Sequence, residues 1–283
     1  MNIYNKRNIV VILYLSLSVF FGCATTNNQK QLTGPKDGVK VESASNMRHI
    51  VSSRDLIIAA EKEFEKIKQN AKKTKKLAKS DDVLLIKLKK ILNKIQPFAT
   101  SWNPASLRWE WEIILINDKQ LNAFCMPGGK IAFFRGIVEE LNLTDDEIGV
   151  IMGHEMAHAL REHARSRIAK GQLTNLGADI ISSALGLGRG ERRLLGFGSQ
   201  LLGLSFSRKD ERDADLVGLD LTARAGFNPR AGLTLWEKMA KANDGSPPEW
   251  LSTHPSNKSR LTEIKKTLPA VEPLFNESID HKK

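Results

Sequence analysis

The segment His154-Glu155-Met156-Ala157-His158 puts two imidazoles and a carboxylate within five consecutive residues. On a helix, positions i and i+4 lie one turn apart on one face, so His154 and His158 can bind a single metal ion. Glu155 follows the first of them and is not needed as a ligand. Its carboxylate is positioned to take a proton from water beside the ion. Ile148, Ile151, Met152 and Leu160 make the surrounding helix apolar. A buried His-Glu-His cluster without a cation would carry a large desolvation cost.

Catalytic zinc takes three protein ligands and keeps a further position open. A metzincin would need a glycine at 161 and a histidine at 164, where this chain has Arg161 and Ala164. His163 falls five residues after His158, about 140° around a helix from the ligand face, and is expected at the surface. The run Glu211-Arg212-Asp213-Ala214-Asp215 offers Glu211 and Asp215 one turn apart. Spacing alone allows two readings. Glu211 can be the third ligand, with Asp215 holding the far nitrogen of a ligand imidazole. Equally, these acids can be the ordinary first turn of a helix, which favours negative charge.

Further motifs stand in order around this core: Asn122-Ala123-Phe124, Pro127-Gly128-Gly129-Lys130, Ser207-Arg208-Lys209-Asp210-Glu211, and Ser252-Thr253-His254-Pro255-Ser256 with Arg260. Together they resemble the gluzincin peptidases of the HtpX and CAAX-prenyl-protease family, in the soluble branch of BepA- and LoiP-like bacterial lipoproteins. The resemblance covers roughly residues 80–270. It implies a zincin-like α+β fold, mainly helical, with a small antiparallel sheet beside the metal helix. It also implies one Zn2+ per chain held by His154, His158 and Glu211, and endopeptidase activity in quality control of misfolded envelope proteins. The alternative function is a zinc-stabilised chaperone or assembly factor with little proteolysis.

In such a site zinc acts as a Lewis acid, and Glu155 passes a proton from water to the leaving amine. The oxyanion then needs a donor. The only tyrosines, Tyr4 and Tyr14, lie in the N-terminal segment read below as a signal peptide, so His254 and Arg260 remain as candidates. The resemblance adds that His254 can cap the zinc and shut the site. An extended substrate would pair with an exposed edge near Ala123–Met126, with Asn122, Ala123 and Phe124, or with one at Lys130–Phe134.

These residues need a frame. The pattern predicts a charged helix over 45–79, and a second helix from Ser80-Asp81-Asp82 with apolar positions Val83, Leu85, Ile86, Ile91, Leu92 and Ile95, ended by Pro97. The alternation from Arg108 to Ile113 predicts a half-buried strand to about Ile116. Leu121–Met126 and Lys130–Phe134 predict two more strands, joined by a Pro-Gly-Gly turn. Thr144-Asp145-Asp146-Glu147 has capping-box spacing and opens the metal helix, expected to run to about Ala169. Apolar blocks over 171–206 suggest packed or amphipathic helices. Helices are expected over Asp210–Ala225, from Pro229 to Ala242, and briefly over Ser256–Thr267.

The N-terminus has a separate logic. Lys6 and Arg7 precede an apolar run from Ile9 to Phe21, followed by Gly22-Cys23. This order predicts a signal peptide over 1–22 and lipidation of Cys23, although Phe20 and Phe21 depart from the usual lipoprotein box. Ala24 follows the cysteine, which favours the outer membrane facing the periplasm. Residues 23–44 are expected to form a flexible tether, 45–270 the peptidase domain, and 271–283 a tail. Removing Lys6 and Arg7 from 43 basic residues leaves 41 against 32 acidic ones, a net charge of +9. Nucleic acid is not expected as a partner, since the chain is read as exported and no aromatic residue interleaves the lysines of 72–79. With Cys23 lipidated, Cys125 has no disulfide partner.

Overall fold

The computed structural model describes residues 32–171, 201, 204–242, 249–254 and 258–280. The expected signal peptide, Cys23 and most of the apolar blocks of 171–206 lie outside the described residues. Two short strands, β1 (Leu32–Thr33) and β2 (Val41–Glu42), pair antiparallel. Val39 and Val41 are buried in the main core. The Val39 N–H donates to Asp220 Oδ2 at 3.2 Å. The expected tether therefore does not extend over 32–44: this stretch is a hairpin packed on the domain, because it has apolar residues to bury and a carboxylate to cap.

Helix α1 (Ser53–Lys73) is capped by the Ser52 side chain, and α2 (Val83–Ile95) by Asp82, whose carboxylate accepts from the Leu84 and Leu85 N–H groups. Val83 and Ile86 of the predicted apolar face are exposed, and Leu88 is buried instead. Three strands follow: β3 (Glu112–Ile116), β4 (Ala123–Met126) and β5 (Lys130–Phe134), in the order β3-β5-β4. The β4–β5 hairpin is antiparallel, as expected, but β3 runs parallel to β5, so the sheet is mixed. The cause lies in residues 117–122. Asn117 N–H bonds the Lys76 carbonyl, and Asp118 O accepts from Gly136 N–H. These bonds carry the chain past the β5 position to the outer edge. Gly128 and Gly129, both at positive φ, then turn it back into the middle.

Alternate residues of the sheet bury opposite faces. Ile113, Leu115, Ile131 and Phe133 join the main core with α2 and the metal helix. Ile114, Ile116, Met126 and Ala132 pack with Ala60 and Phe64 of α1. After the short α3 (Arg135–Glu139), α4 (Asp145–Leu160) opens on a capping box: Thr144 accepts from Glu147 N–H and Glu147 from Thr144 N–H. Every residue from Glu147 to Leu160 is buried, so α4 is the axis of the domain.

The metal helix does not continue to Ala169. It stops at Leu160, Glu162 turns the chain at φ 55°, and a new helix, α5, occupies 163–171. A second capping box, Ser207 with Asp210, starts α6 (Arg208–Arg224), and α7 (Ala231–Lys241) follows. The short α8 (Glu249–Thr253) and α9 (Lys258–Asp280) complete the described chain. The predicted 271–283 tail is helical as far as Asp280. Pro269 and Pro273 sit inside α9, yet Val271 and Leu274 are buried against the core, and tertiary packing outweighs the lost helical bonds.

Helix α6 lies directly against α4. A Cβ on Gly153 would meet Gly218 O at 2.8 Å, and one on Gly218 would meet His154 N at 2.8 Å. The paired glycines let the two backbones touch beside the first histidine.

Candidate metal centre

Helix α4 turns His154 and His158 to the same side. The α4–α6 contact brings the first turns of α6 over them, and α8 delivers His254 from above. His154 Nε2 lies 3.1 Å from His158 Nε2 and 3.3 Å from His254 Nδ1. Glu211 places Oε1 3.0 Å from His254 Nδ1 and 3.5 Å from His158 Nε2, and Oε2 3.5 Å from His154 Nε2. All four side chains are buried, and their donor atoms lie within 4.8 Å of one another.

Such spacing fits a cation. Four ligand atoms at about 2.0–2.1 Å from tetrahedral zinc stand roughly 3.3 Å apart. Imidazole lone pairs converging at 3.1 Å in a buried site repel unless a proton or a metal lies between them. Glu211 Oε2 accepts no hydrogen bond among the described residues, although Arg260 Nη1 stands 2.7 Å away as an ion pair. Two imidazoles and one carboxylate, with a third imidazole in the remaining position, form a donor set suited to zinc.

Charge at the cluster follows the same geometry. Burial opposes protonation of His154, but Asp215 and Glu211 outweigh it and raise this histidine to about 9. For His158, burial and the neighbouring imidazoles push the pKa well below its ordinary value. Burial would raise Glu211, yet His254 and His154 hold it below the usual carboxylate range.

The surrounding side chains orient the cluster. His154 Nδ1 is 3.1 Å from Asp215 Oδ1, the contact expected from the sequence. Arg260 grips Asp215 with Nε and Nη2 at 2.7 and 2.6 Å, and its guanidinium lies over Trp236 at 4.2 Å. Arg260, a candidate oxyanion donor from the sequence, has its fork engaged by Asp215 and Glu211. Glu155 is buried and lies outside the donor cluster; its Oε1 accepts from the Trp250 indole N–H at 2.7 Å and stands 3.5 Å from His254 Nε2. Trp250 also stacks on His254, and the His254 N–H bonds back to the Trp250 carbonyl.

Sequence reading missed Trp250, although its place four residues before His254 was a usable signal. It also misplaced His163, which is buried with Nδ1 3.0 Å from His158 Nδ1 and Nε2 3.0 Å from Asp213 Oδ2. The break at Glu162 removes the angular argument that put it at the surface. Asn122, Ala123 and Phe124 lie at the entry to β4, one of the two edge strands of the three-stranded sheet. Among the described residues Cys125 is a free cysteine, and burial, then Glu155, raises its thiol well above the ordinary value. No helix among the described residues is long and apolar enough to cross a membrane.

Comparison with known proteins agrees with this geometry. The family model of peptidase family M48 matches residues 87–268. The chain belongs to peptidase family M48. That match contains β3–β5, the two metal-facing helices, His254 and Arg260. Within the curated members, the chain is 38% identical over 163 residues to the mitochondrial metalloendopeptidase OMA1 of Schizosaccharomyces pombe, covering 56% of this chain and 47% of that protein. It is 29% identical over 158 residues to the metalloprotease LoiP of Escherichia coli, covering 54% and 60%. To the beta-barrel assembly-enhancing protease of Yersinia pestis it is 27% identical over 182 residues, covering 60% and 37%. The match spans half the length or less of the OMA1 relatives named here and in Arabidopsis thaliana. M48 relatives of this chain thus include mitochondrial and bacterial proteins.

Proposed function

We propose that this chain is a zinc-dependent endopeptidase acting on unfolded or misassembled proteins of the bacterial cell envelope. The observation that carries the reading is Glu155: a buried carboxylate beside the donor cluster, outside it, and held by Trp250. A purely structural zinc needs no such group. His154, His158 and Glu211 would hold the ion, which would supply Lewis acidity when bound. Glu155 takes a proton from water and gives it to the leaving amine nitrogen. The outer position of β4 supports backbone pairing with an extended substrate along Ala123–Met126, a mode that reads chain extension more than sequence.

The second reading, a zinc-stabilised lipoprotein with little proteolysis, is favoured by one contact. His254 Nδ1 fills the fourth corner of the donor cluster, where a cap would shut the site. The test is hydrolysis of casein and of misfolded outer-membrane protein at matched zinc content. Glu155→Gln should keep zinc and lose nearly all activity, about 100-fold or more. His254→Ala should raise basal activity if His254 is a cap. A wild type and a His254→Ala variant both inactive would favour the chaperone reading.

The cellular place rests on Lys6, Arg7, the Ile9–Phe21 run and Gly22-Cys23. In this reading Cys23 carries lipid and holds the enzyme at the outer membrane, facing the periplasm. Cys23→Ala should release the protein from the membrane fraction and remove the lipid mass. Unchanged fractionation and mass would exclude the anchor.

A further inference from the structure

We propose that Asp213 and His163 act in series as a positioning relay that fixes the tautomer and ring plane of His158. The inference rests on the metal reading above.

Proton accounting gives one consistent assignment. His158 turns Nε2 into the donor cluster, so as a neutral ligand it must carry its proton on Nδ1. That N–H points at His163 Nδ1, 3.0 Å away, which must then accept. His163 in turn has its proton on Nε2, and donates it to Asp213 Oδ2 at 3.0 Å. Each nitrogen has one role, and the chain ends on an anion. Asp213 is itself held: Arg161 Nε donates to the same Oδ2 at 2.8 Å. The Arg161 guanidinium also reaches the Thr33 hydroxyl at 3.3 Å and the Glu42 carbonyl, which fixes it to the β1–β2 hairpin. Arg161 and His163 are each 5% exposed, and the Asp213 side chain is 15% exposed.

Backbone conformation points the same way. An unbroken α4 would carry His163 away from His158. The chain instead leaves the helix at Arg161 and passes through a left-handed conformation at Glu162, a residue with a Cβ and no glycine's freedom. That unfavourable turn aims His163 back at the second ligand, as expected where local strain serves a site.

The arrangement also mirrors the first ligand. His154 reaches its carboxylate, Asp215, directly, and Asp215 is gripped by Arg260. His158 reaches Asp213 through one intervening imidazole, and Asp213 is gripped by Arg161. Each ligand histidine therefore has its own carboxylate and arginine, and the two arms leave the cluster on different residues.

The experiment measures zinc affinity by competition with a chromogenic chelator, in the full chain, for His163→Ala, Asp213→Ala and the double variant. Loss of such a partner should weaken zinc binding about 10- to 100-fold. Because the two residues act in series, the double variant should lose no more than the worse single variant, whereas adding Asp215→Ala should multiply the loss. Visible spectra of the cobalt-substituted proteins should shift with His163→Ala. Should that variant fail to fold, Asp213→Asn keeps the shape and is expected to weaken zinc binding about 10-fold, the lower end of that range. Affinities within twofold of wild type, or independent losses for His163 and Asp213, would overturn the relay. A wild-type chain that binds no zinc would overturn the metal reading itself.

Discussion

Glu155 shows how much a single carboxylate depends on its neighbours. Its Oε1 has an indole N–H at 2.7 Å and the His254 ring at 3.5 Å. Trp250→Phe keeps an aromatic ring beside His254 and removes the N–H together with part of the buried indole. Peptide hydrolysis should fall about tenfold in kcat with KM and zinc content unchanged, a fraction of what general-base catalysis contributes. A change confined to KM would assign Trp250 to substrate binding instead. At this scale the sequence was most legible for residues sharing one helix: the positions of His154, Glu155 and His158 follow from periodicity alone. Glu211 needed the family resemblance, since acidic first turns are common. His163 was misread because a regular helix was extrapolated through Glu162, and no residue type there announces a left-handed turn. Arg260 was assigned by elimination, and elimination cannot see that Asp215 and Glu211 already claim its fork.

Among the elements, two capping boxes set where the metal-bearing helices begin; only Thr144…Glu147 is legible as such in the sequence, whereas Ser207…Asp210 lies ahead of the start expected at Asp210. Glu147 does more than cap. It accepts from Thr144 N–H at 2.8 Å, the Thr234 hydroxyl at 2.7 Å and Lys238 at 2.6 Å, tying α4 to α7. Burial pushes its pKa up, but Lys238 and the other donors outweigh this and hold it below the usual value. A depressed carboxylate stabilises the fold above its unfolded pKa, about 4.3, and that contribution is lost as pH falls through the folded value. Glu147→Gln should therefore cost about 1–3 kcal/mol at pH 7. The gap from wild type should close in urea melts at progressively lower pH below about 4. A gap independent of pH would mean that shape, not charge, matters there. Strand pairing was harder to read than strand position, because order β3-β5-β4 is set by contacts of residues 117 and 118 with distant partners.

Across the whole molecule, the N-terminal hairpin and the C-terminal helix proved to be parts of the domain. Arg224 joins Asp37 and Asp220, and Lys209 pairs with Glu42. Neither contact leaves a local pattern: the short Val39–Val41 stretch looks like linker, and two prolines look like the end of a helix. Partners that lie far apart in the chain are invisible to any window slid along it.

The donor cluster has a consequence for the connectivity of the folded chain. His154 and His254 are 100 residues apart, and Glu211 and His254 are 43 apart. An ion held between them closes loops of that size, much as a covalent cross-link would, and removes many open arrangements from the unfolded chain. For a loop of about 100 residues such closure is worth on the order of 4–5 kcal/mol. Chelation should therefore lower Tm by about 10 °C or more, taking about 2–4 °C per kcal/mol for a domain of this size, and slow refolding until zinc is returned. Calorimetry with and without chelator reads it directly; a Tm shift below about 2 °C would mean that packing between α4 and α6 alone knits the chain together.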